Sequence, residues 1–303
     1  MFQDESADAA PRPSTGLLAS AIARHVHTAG DHETALPALS FHRRDAPTAA
    51  IPCVIPSDSP SRQGDKQVTV GDRILDYFPG QSLLTTIDLP VVSHVTRADT
   101  NEPYLGLLLR LDARSITLLA SNMKLARPDR SRTDEPISIE RLDPGLLDAL
   151  RRLVNLLDEP LLLPRVAPLV EQEIIIRLLT DPHGPYLWAL TMEESPHEQI
   201  ATVVAWLKEN FSKAIRVDAL AAKANMSPST FRQHFREITG LSPVQYQKQL
   251  RLIEARQIMH HRYLDASQAA KLVGYQSVSQ FSRDYSRVFG APPRRDVRDK
   301  RSR

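Results

Sequence analysis

The chain has 303 residues, 42% hydrophobic and 24% charged, the balance of a globular protein long enough for two ordinary domains. Its single cysteine, Cys53, excludes an intramolecular disulfide. No apolar run approaches the roughly 20 residues of a membrane span, and the acidic N-terminus lacks a charged-then-apolar signal pattern, so a cytoplasmic chain is expected. The net charge of +2 conceals an asymmetry: residues 200–303 carry 19 Lys and Arg against 8 Asp and Glu, whereas residues 1–199 carry 19 against 28. A basic half joined to an acidic half implies that only the C-terminal part meets phosphate.

In chain order, residues 1–15 read as a disordered tail and 16–30 (GLLASAIARHVHTAG) as a short helix. Residues 31–63 are rich in Pro, Ser and Asp, with only brief apolar pieces. From Gln67 to Leu111 Val, Ile, Thr and Tyr concentrate between the turn signals Gly71, Pro79-Gly80 and Asp99-Thr100-Asn101. Short strands at that spacing predict an antiparallel sandwich or barrel. Beyond Pro144, Leu146, Leu147, Leu150, Leu153, Leu156 and Leu157 recur at helical steps, and Val166 to Leu179 forms a second such stretch. These two helices either pack on the sheet or join two protomers. The breaker cluster Asp181-Pro182-His183-Gly184-Pro185 opens an expected linker, 181–196, which closes an N-terminal domain of residues 16–180.

The basic half begins with an amphipathic helix, 197–211, that places Ile200, Val203, Val204 and Leu207 on one side. A repeat follows: SPSTFRQHFREITGLSP from Ser227 to Pro243, and SVSQFSRDYSRVFGAPP from Ser277 to Pro293. Ser227 and Ser277, Ser229 and Ser279, Phe231 and Phe281, Phe235 and Tyr285, Gly240 and Gly290, and Pro243 and Pro293 all pair at one offset of fifty. A fixed internal period means one supersecondary unit used twice. An Ala-Ala-Lys tripeptide precedes each copy, at Ala221-Ala222-Lys223 and Ala269-Ala270-Lys271. The pattern predicts two helix-turn-helix units, at 218–239 and 266–289. In each, Ser caps the second helix and Gly ends it. Ser242 with Gln245, Asp265 with Gln268 and Ser277 with Gln280 have capping-box spacing. The first box opens a long connecting helix.

Phe231, Phe235 and Ile238 share one helix face, as do Phe281, Tyr285 and Val288. The opposite faces present Ser229, Arg232 and Gln233, and then Val278, Ser279 and Arg283, as candidates for base contact. Arg pairs bidentately with guanine and Gln with adenine, and Val278 suits a thymine methyl. Arg236, Lys248, Arg251, Arg256 and Arg287 are candidates for phosphate contact, which positions without specifying. Residues 297–303 read as a basic tail.

Other chemistry finds little support. His25-x-His27 has the spacing of a metal pair but lies on the N-terminal helix, and His94 stands alone among the strands. Cys53 reads as a small buried residue, with a sensing thiol as the alternative. No Gly-rich phosphate loop or Ser/His/Asp motif occurs, so neither cofactor, metal nor catalysis is expected.

The second copy, GYQSVSQFSRDYSRVFGAPP, resembles the signature of AraC/XylS-type bacterial transcription regulators, and the connector LSPVQYQKQLRLIEARQIM matches as well. The resemblance covers residues 197–296. It implies that two units joined by the long helix read adjacent major grooves about one helical turn apart, roughly 34 Å. The segments QGDKQVTVGDRILDYFPGQSLLTTIDLPV, EPYLGLLLRLD and LLDEPLLLPRVAPLVEQEIIIRLLT resemble the cupin-like N-terminal domain of one such subfamily. The family usually has an apolar strand just before Gly64, where this chain has SDSPSR.

The expected fold is therefore α+β: a cupin-like β-barrel or sandwich with flanking helices, then an all-α domain. The expected partners are double-stranded promoter DNA and RNA polymerase. A small-molecule effector or a second copy of the chain is expected at the N-terminal half, and no membrane. The alternative is a metal-binding or enzymatic cupin domain with an appended DNA-binding module.

Overall fold

Ten strands and twelve α-helices follow one another in a computed structural model that describes residues 13–48, 51–55, 59–60, 66–70, 73–123, 137–189, 191, 195–262 and 264–301. Helix α1 (Pro13–Ala23) precedes β1 (Gly30–Glu33), β2 (Leu39–Arg44), β3 (Ile51–Ile55), β4 (Ser59–Pro60), β5 (Lys66–Val70) and β6 (Arg73–Tyr77). Then come β7 (Gln81–Leu84), β8 (Leu89–Val95), β9 (Tyr104–Leu109), α2 (Ala113–Asn122) and β10 (Ser138–Arg141). Every pairing is antiparallel, in three sheets of order β1-β2-β9, β10-β7-β4 and β3-β8-β5-β6. Among the described residues these sheets are open, so the N-terminal half is layered rather than a closed barrel. β9 (YLGLLL) is buried along its whole length, which explains a continuous apolar run where a half-exposed strand would alternate.

Helices α3 (Pro144–Asn155), α4 (Leu163–Thr180) and α5 (Gly184–Ala189) cover the sheets. Asp143 caps α3 by accepting from the Gly145 and Leu146 amides, with Pro144 in the first turn where no amide is needed. The leucine face of α3 then joins Leu18 and Ile22 of α1, Phe41 of β2, Leu107 of β9 and Ile174 of α4 in one core. The inner sides of α3 and α4 thus pack in one core with α1 and the strands.

Several sequence expectations change. The segment 31–63 contains four strands. β1 (GDHE) hid that, because an edge strand needs no apolar alternation, and so did the basic end of the central strand β2, whose His42, Arg43 and Arg44 read as polar. The N-terminal helix lies at Pro13–Ala23 rather than 16–30, and residues 1–12 of the expected tail fall outside the described residues. Of SDSPSR, Ser59–Pro60 form the two-residue strand β4, which pairs with β7; 57, 58, 61 and 62 fall outside the described residues. Of the expected linker, 181–189 belongs to the N-terminal core: His183 is fully buried and Leu187 of α5 joins the first cluster. His25 stacks on Phe41 and lies 3.7 Å from Asp158. Among the described residues no group of three or more His, Cys, Asp or Glu is placed to hold a metal, and no helix is long and apolar enough to cross a membrane.

The buried His183 yields a measurable pH dependence. Its Nε2 bonds Ser82 Oγ at 2.7 Å and its Nδ1 bonds Ser138 Oγ at 2.9 Å. Burial pushes the imidazole down from 6.5 to about 4. The neighbouring Asp181 accepts from the His183 amide at 2.6 Å, and burial pushes its carboxyl up to about 7. A depressed group contributes stability above its unfolded pKa and loses it as pH falls, so His183 destabilises the fold between pH 6.5 and about 4. Asp181 has the opposite sign and masks the effect. In Asp181→Asn, which keeps an acceptor for the His183 amide, urea unfolding should reveal a loss of about 3 kcal/mol across that window. A variant whose stability stays flat there would contradict the assignment.

Candidate nucleic-acid interface

Helix α6 (Pro196–Glu209) leads into the first unit, α7 (Val217–Lys223) and α8 (Pro228–Thr239). The connecting helix α9 (Pro243–His261) follows, then the second unit, α10 (Ala266–Leu272) and α11 (Val278–Phe289), and finally α12 (Pro293–Arg301). The repeat is structural. Ser227 Oγ accepts from the Thr230 amide and Ser277 Oγ from the Gln280 amide. Gly240 (φ 71°) and Gly290 (φ 74°) end α8 and α11 in the left-handed conformation that glycine adopts without penalty. The boxes at Ser242 and Asp265 are reciprocal, whereas at Ser277 only the forward bond forms.

The turns align differently from the tripeptides. Met226 donates to Ala221 O and Tyr275 to Ala270 O, both at 2.9 Å, so Ala221 and Ala270 are equivalent and Gln276 is an extra residue before α11. The two Ala-Ala-Lys stretches are therefore one residue out of structural step. Both turns require positive φ, 52° at Asn225 and 85° at Gly274. A Cβ on Gly274 would also meet Ser212 O at 2.1 Å.

Each unit has an aromatic core. Phe231 and Phe235 lie 5.4 Å apart, with Tyr246 of α9 edge-on to Phe235 at 5.5 Å. In the second unit Phe281 touches Tyr275 and Tyr285, and Tyr285 meets Phe289 at 4.4 Å. With these rings buried, helical geometry turns Ser229, Arg232, Gln233 and Arg236 of α8 outward, and likewise Val278, Ser279, Arg283 and Arg287 of α11; all eight are exposed. Gln233 Nε2 donates to Glu237 Oε1 at 2.9 Å, a bond it must exchange to meet a base. Thr230 and Gln280 are also exposed, at equivalent positions in the first turns. The fifty-residue offset carries that signal too, beside Ser229 and Ser279.

Two phosphate candidates are corrected. Arg256 is 3% exposed and pairs bidentately with Asp296, at 2.7 and 2.8 Å, beneath the surface. Arg251 spends its guanidinium on the carbonyls of Phe211, Ser212, Lys213 and Gly274, bracing the loop after α6 against the second turn. Lys248 is half-exposed and lies 3.4 Å from the buried Asp284, which also accepts from Tyr275 OH. Residues 297–301, read as tail, belong to α12, whose Val297 joins the second core.

Asp284 and Asp296 were not singled out in the sequence, although both fall on inward helix faces. Burial alone would raise Asp296. The nearby His260, 3.6 Å away, and hydrogen bonds from Arg256 and Tyr285 instead hold it well below the usual carboxylate range. On β8, burial and then the Arg256 charge push His94 down.

The turn geometry sets a test of local stability. Gly274→Ala should lower stability by about 1–3 kcal/mol through its left-handed φ alone, with the Ser212 carbonyl clash added. Asn225→Ala, which adds no Cβ, should cost about 1 kcal/mol. Equal thermal shifts for the two variants would contradict the close approach at Gly274.

With this geometry established, the comparisons with known proteins agree. Residues 35–186 match the family described as AraC-type transcriptional regulator N-terminus, and residues 220–299 match a helix-turn-helix domain. The HTH-type transcriptional activator RhaS of Escherichia fergusonii is 27% identical over 155 residues, 51% of this chain and 55% of that protein. RhaS of Escherichia coli is 30% identical over 108 residues, 36% of this chain and 38% of that protein. The matches thus span about half or less of those relatives' length. Apo ToxT from Vibrio cholerae shares the fold, with a TM-score of 0.56 and 12% identity over 86% of this chain and 97% of ToxT. The N-terminal match alone takes in half of the chain, and the protein belongs to the AraC-type family of transcriptional regulators.

Proposed function

We propose that the chain binds promoter DNA sequence-specifically by laying α8 and α11 in two adjacent major grooves. The observation that carries this is the duplicated reading surface. Two helices with the same caps and the same buried aromatic positions each present an exposed polar face. Ser229, Arg232 and Gln233 read bases from the first helix, and Val278, Ser279 and Arg283 from the second. Arg236 and Arg287, exposed one turn further along, contact phosphate, as does Lys248 once it leaves Asp284. The mechanism is occupancy of a promoter together with contact to RNA polymerase. It needs no catalysis, and it places the protein in the bacterial cytoplasm.

In this reading the N-terminal half regulates, through an effector or a second copy of the chain. For the second copy, Leu162 at the N-cap of α4 and Leu169 and Ile176 on that helix stand seven residues apart and are exposed. Spacing of that kind forms an apolar seam between helices.

Selecting random DNA with the full chain defines the site, and substitution then tests it. Arg232→Ala and Arg283→Ala should each cost ~1–3 kcal/mol on the selected site and relax discrimination at one base position, in opposite half-sites. Lys248→Ala should weaken binding evenly and reduce the salt slope by about 1. If either arginine variant lost the same affinity on every sequence, that arginine would be a phosphate contact and not a reader.

A further inference from the structure

The two units are duplicates in sequence, yet they close their cores differently. The first is incomplete by itself. Ile200, Val203 and Leu207 of α6 and Phe231 and Phe235 of α8 share one continuous cluster with Val68, Leu89 and Val91 of the N-terminal sheet. The second draws mainly on the C-terminal half. Among the described residues its buried cluster takes a single residue from the strands, Val92, alongside Leu252 and Ala255 of the shared helix α9.

The polar groups follow the same division, and the repeat makes it visible. Phe235 and Tyr285 are equivalent, as are Tyr246 and Asp296, fifty residues apart. In the second unit the polar pair is internal: Tyr285 OH donates to Asp296 at 2.6 Å, and Arg256 completes the network. In the first, the aromatic at 235 has no hydroxyl, and the phenol stands on α9 instead. Tyr246 is fully buried, so its hydroxyl needs a partner, and it reaches out of the unit to the backbone carbonyl of Asp88 at 2.5 Å. The Asp88 carboxylate in turn pairs with Lys208 of α6, and His197 Nε2 meets Thr86 O at 3.2 Å. Three contacts from the β7–β8 connection thus fall on the helices that frame α8.

We infer that Asp88 is the positioning residue of the first reading helix: by holding Tyr246 and Lys208, the N-terminal sheet sets the pose of α8 without setting that of α11. The inference rests on the reading of α8 and α11 as the two groove-reading helices. A change within the sheet then alters one half-site and leaves the other, so the second unit acts as a fixed anchor and the first as the adjustable one.

The test is amide hydrogen exchange on the free full-length protein. Tyr246→Phe combined with Lys208→Met keeps the ring and the aliphatic stem while removing both polar ties to Asp88. Exchange in α7 and α8 should accelerate about tenfold, and that in α11 should stay within about twofold. Tyr285→Phe makes the same chemical change in the second unit and should give the reverse pattern. Comparable acceleration of both units in the first variant, or none in α8, would overturn the inference. Hydroxyl-radical footprints of the same variants on a selected site should lose protection in the α8 half-site alone. Because exchange is measured without DNA, a wild-type protein that protected no site would count against the groove-reading function and not against this positioning.

Discussion

Both units are packed against one helix, and the rest of the C-terminal half follows from that constraint. The 19-residue α9 is about 28 Å long at 1.5 Å per residue. Near its start Tyr246 and Leu250 enter the first core, and further on Leu252, Ala255 and Met259 enter the second. A helix gripped at both ends by close-packed side chains cannot slide or turn without opening a void. The separation of α8 and α11 along the chain is therefore set by one rigid element, on which the ties to the N-terminal sheet adjust the pose of α8. Its length is comparable to the spacing of successive major grooves on one side of DNA.

Charge is distributed to the same end. The reading faces keep their arginines in water, whereas Arg256 and Arg251 are drawn inward to tie the units together. The Arg256–Asp296 pair is nearly dry, and removing one partner of such a pair strands the other, at about 3–5 kcal/mol. Asp284 sits beneath Lys248 and within 4.0 Å of Arg287. A buried carboxylate there offsets part of the positive charge before DNA arrives, which favours discrimination over indiscriminate phosphate binding.

Much of this was legible in the chain. The Ser caps, the terminal glycines and the phenylalanines at helical steps announced both reading helices within a residue of their observed bounds, because local chemistry dictates them. The outward residues followed by helical geometry alone. What was not legible depends on tertiary partners. Arg251 and Arg256 have the composition of phosphate contacts, and only the carbonyls of 211–213 and the carboxylate of Asp296, about 40 residues away, turn them inward. The apolar residues of α9 serve two cores on different sides, so no single face stands out in its sequence. In the N-terminal half, β1 and β2 carry Asp, His and Arg that form ion pairs, such as Arg44 with Asp31 and Arg43 with Asp45, so no apolar alternation marked them as strands. His183 looked like part of a linker because a Pro-His-Gly-Pro turn reads the same whether or not a core closes around it.

The central claim is that α9 holds two readers at one fixed separation on DNA. It is tested most directly by binding to a selected site whose half-sites are moved apart. Inserting about five base pairs, half a turn, should reduce affinity to that of unrelated DNA, and inserting about ten, a full turn, should not restore it. Retention of full affinity after the ten-pair insertion would mean that the units are flexibly tethered, or that one of them binds alone, and would contradict the account.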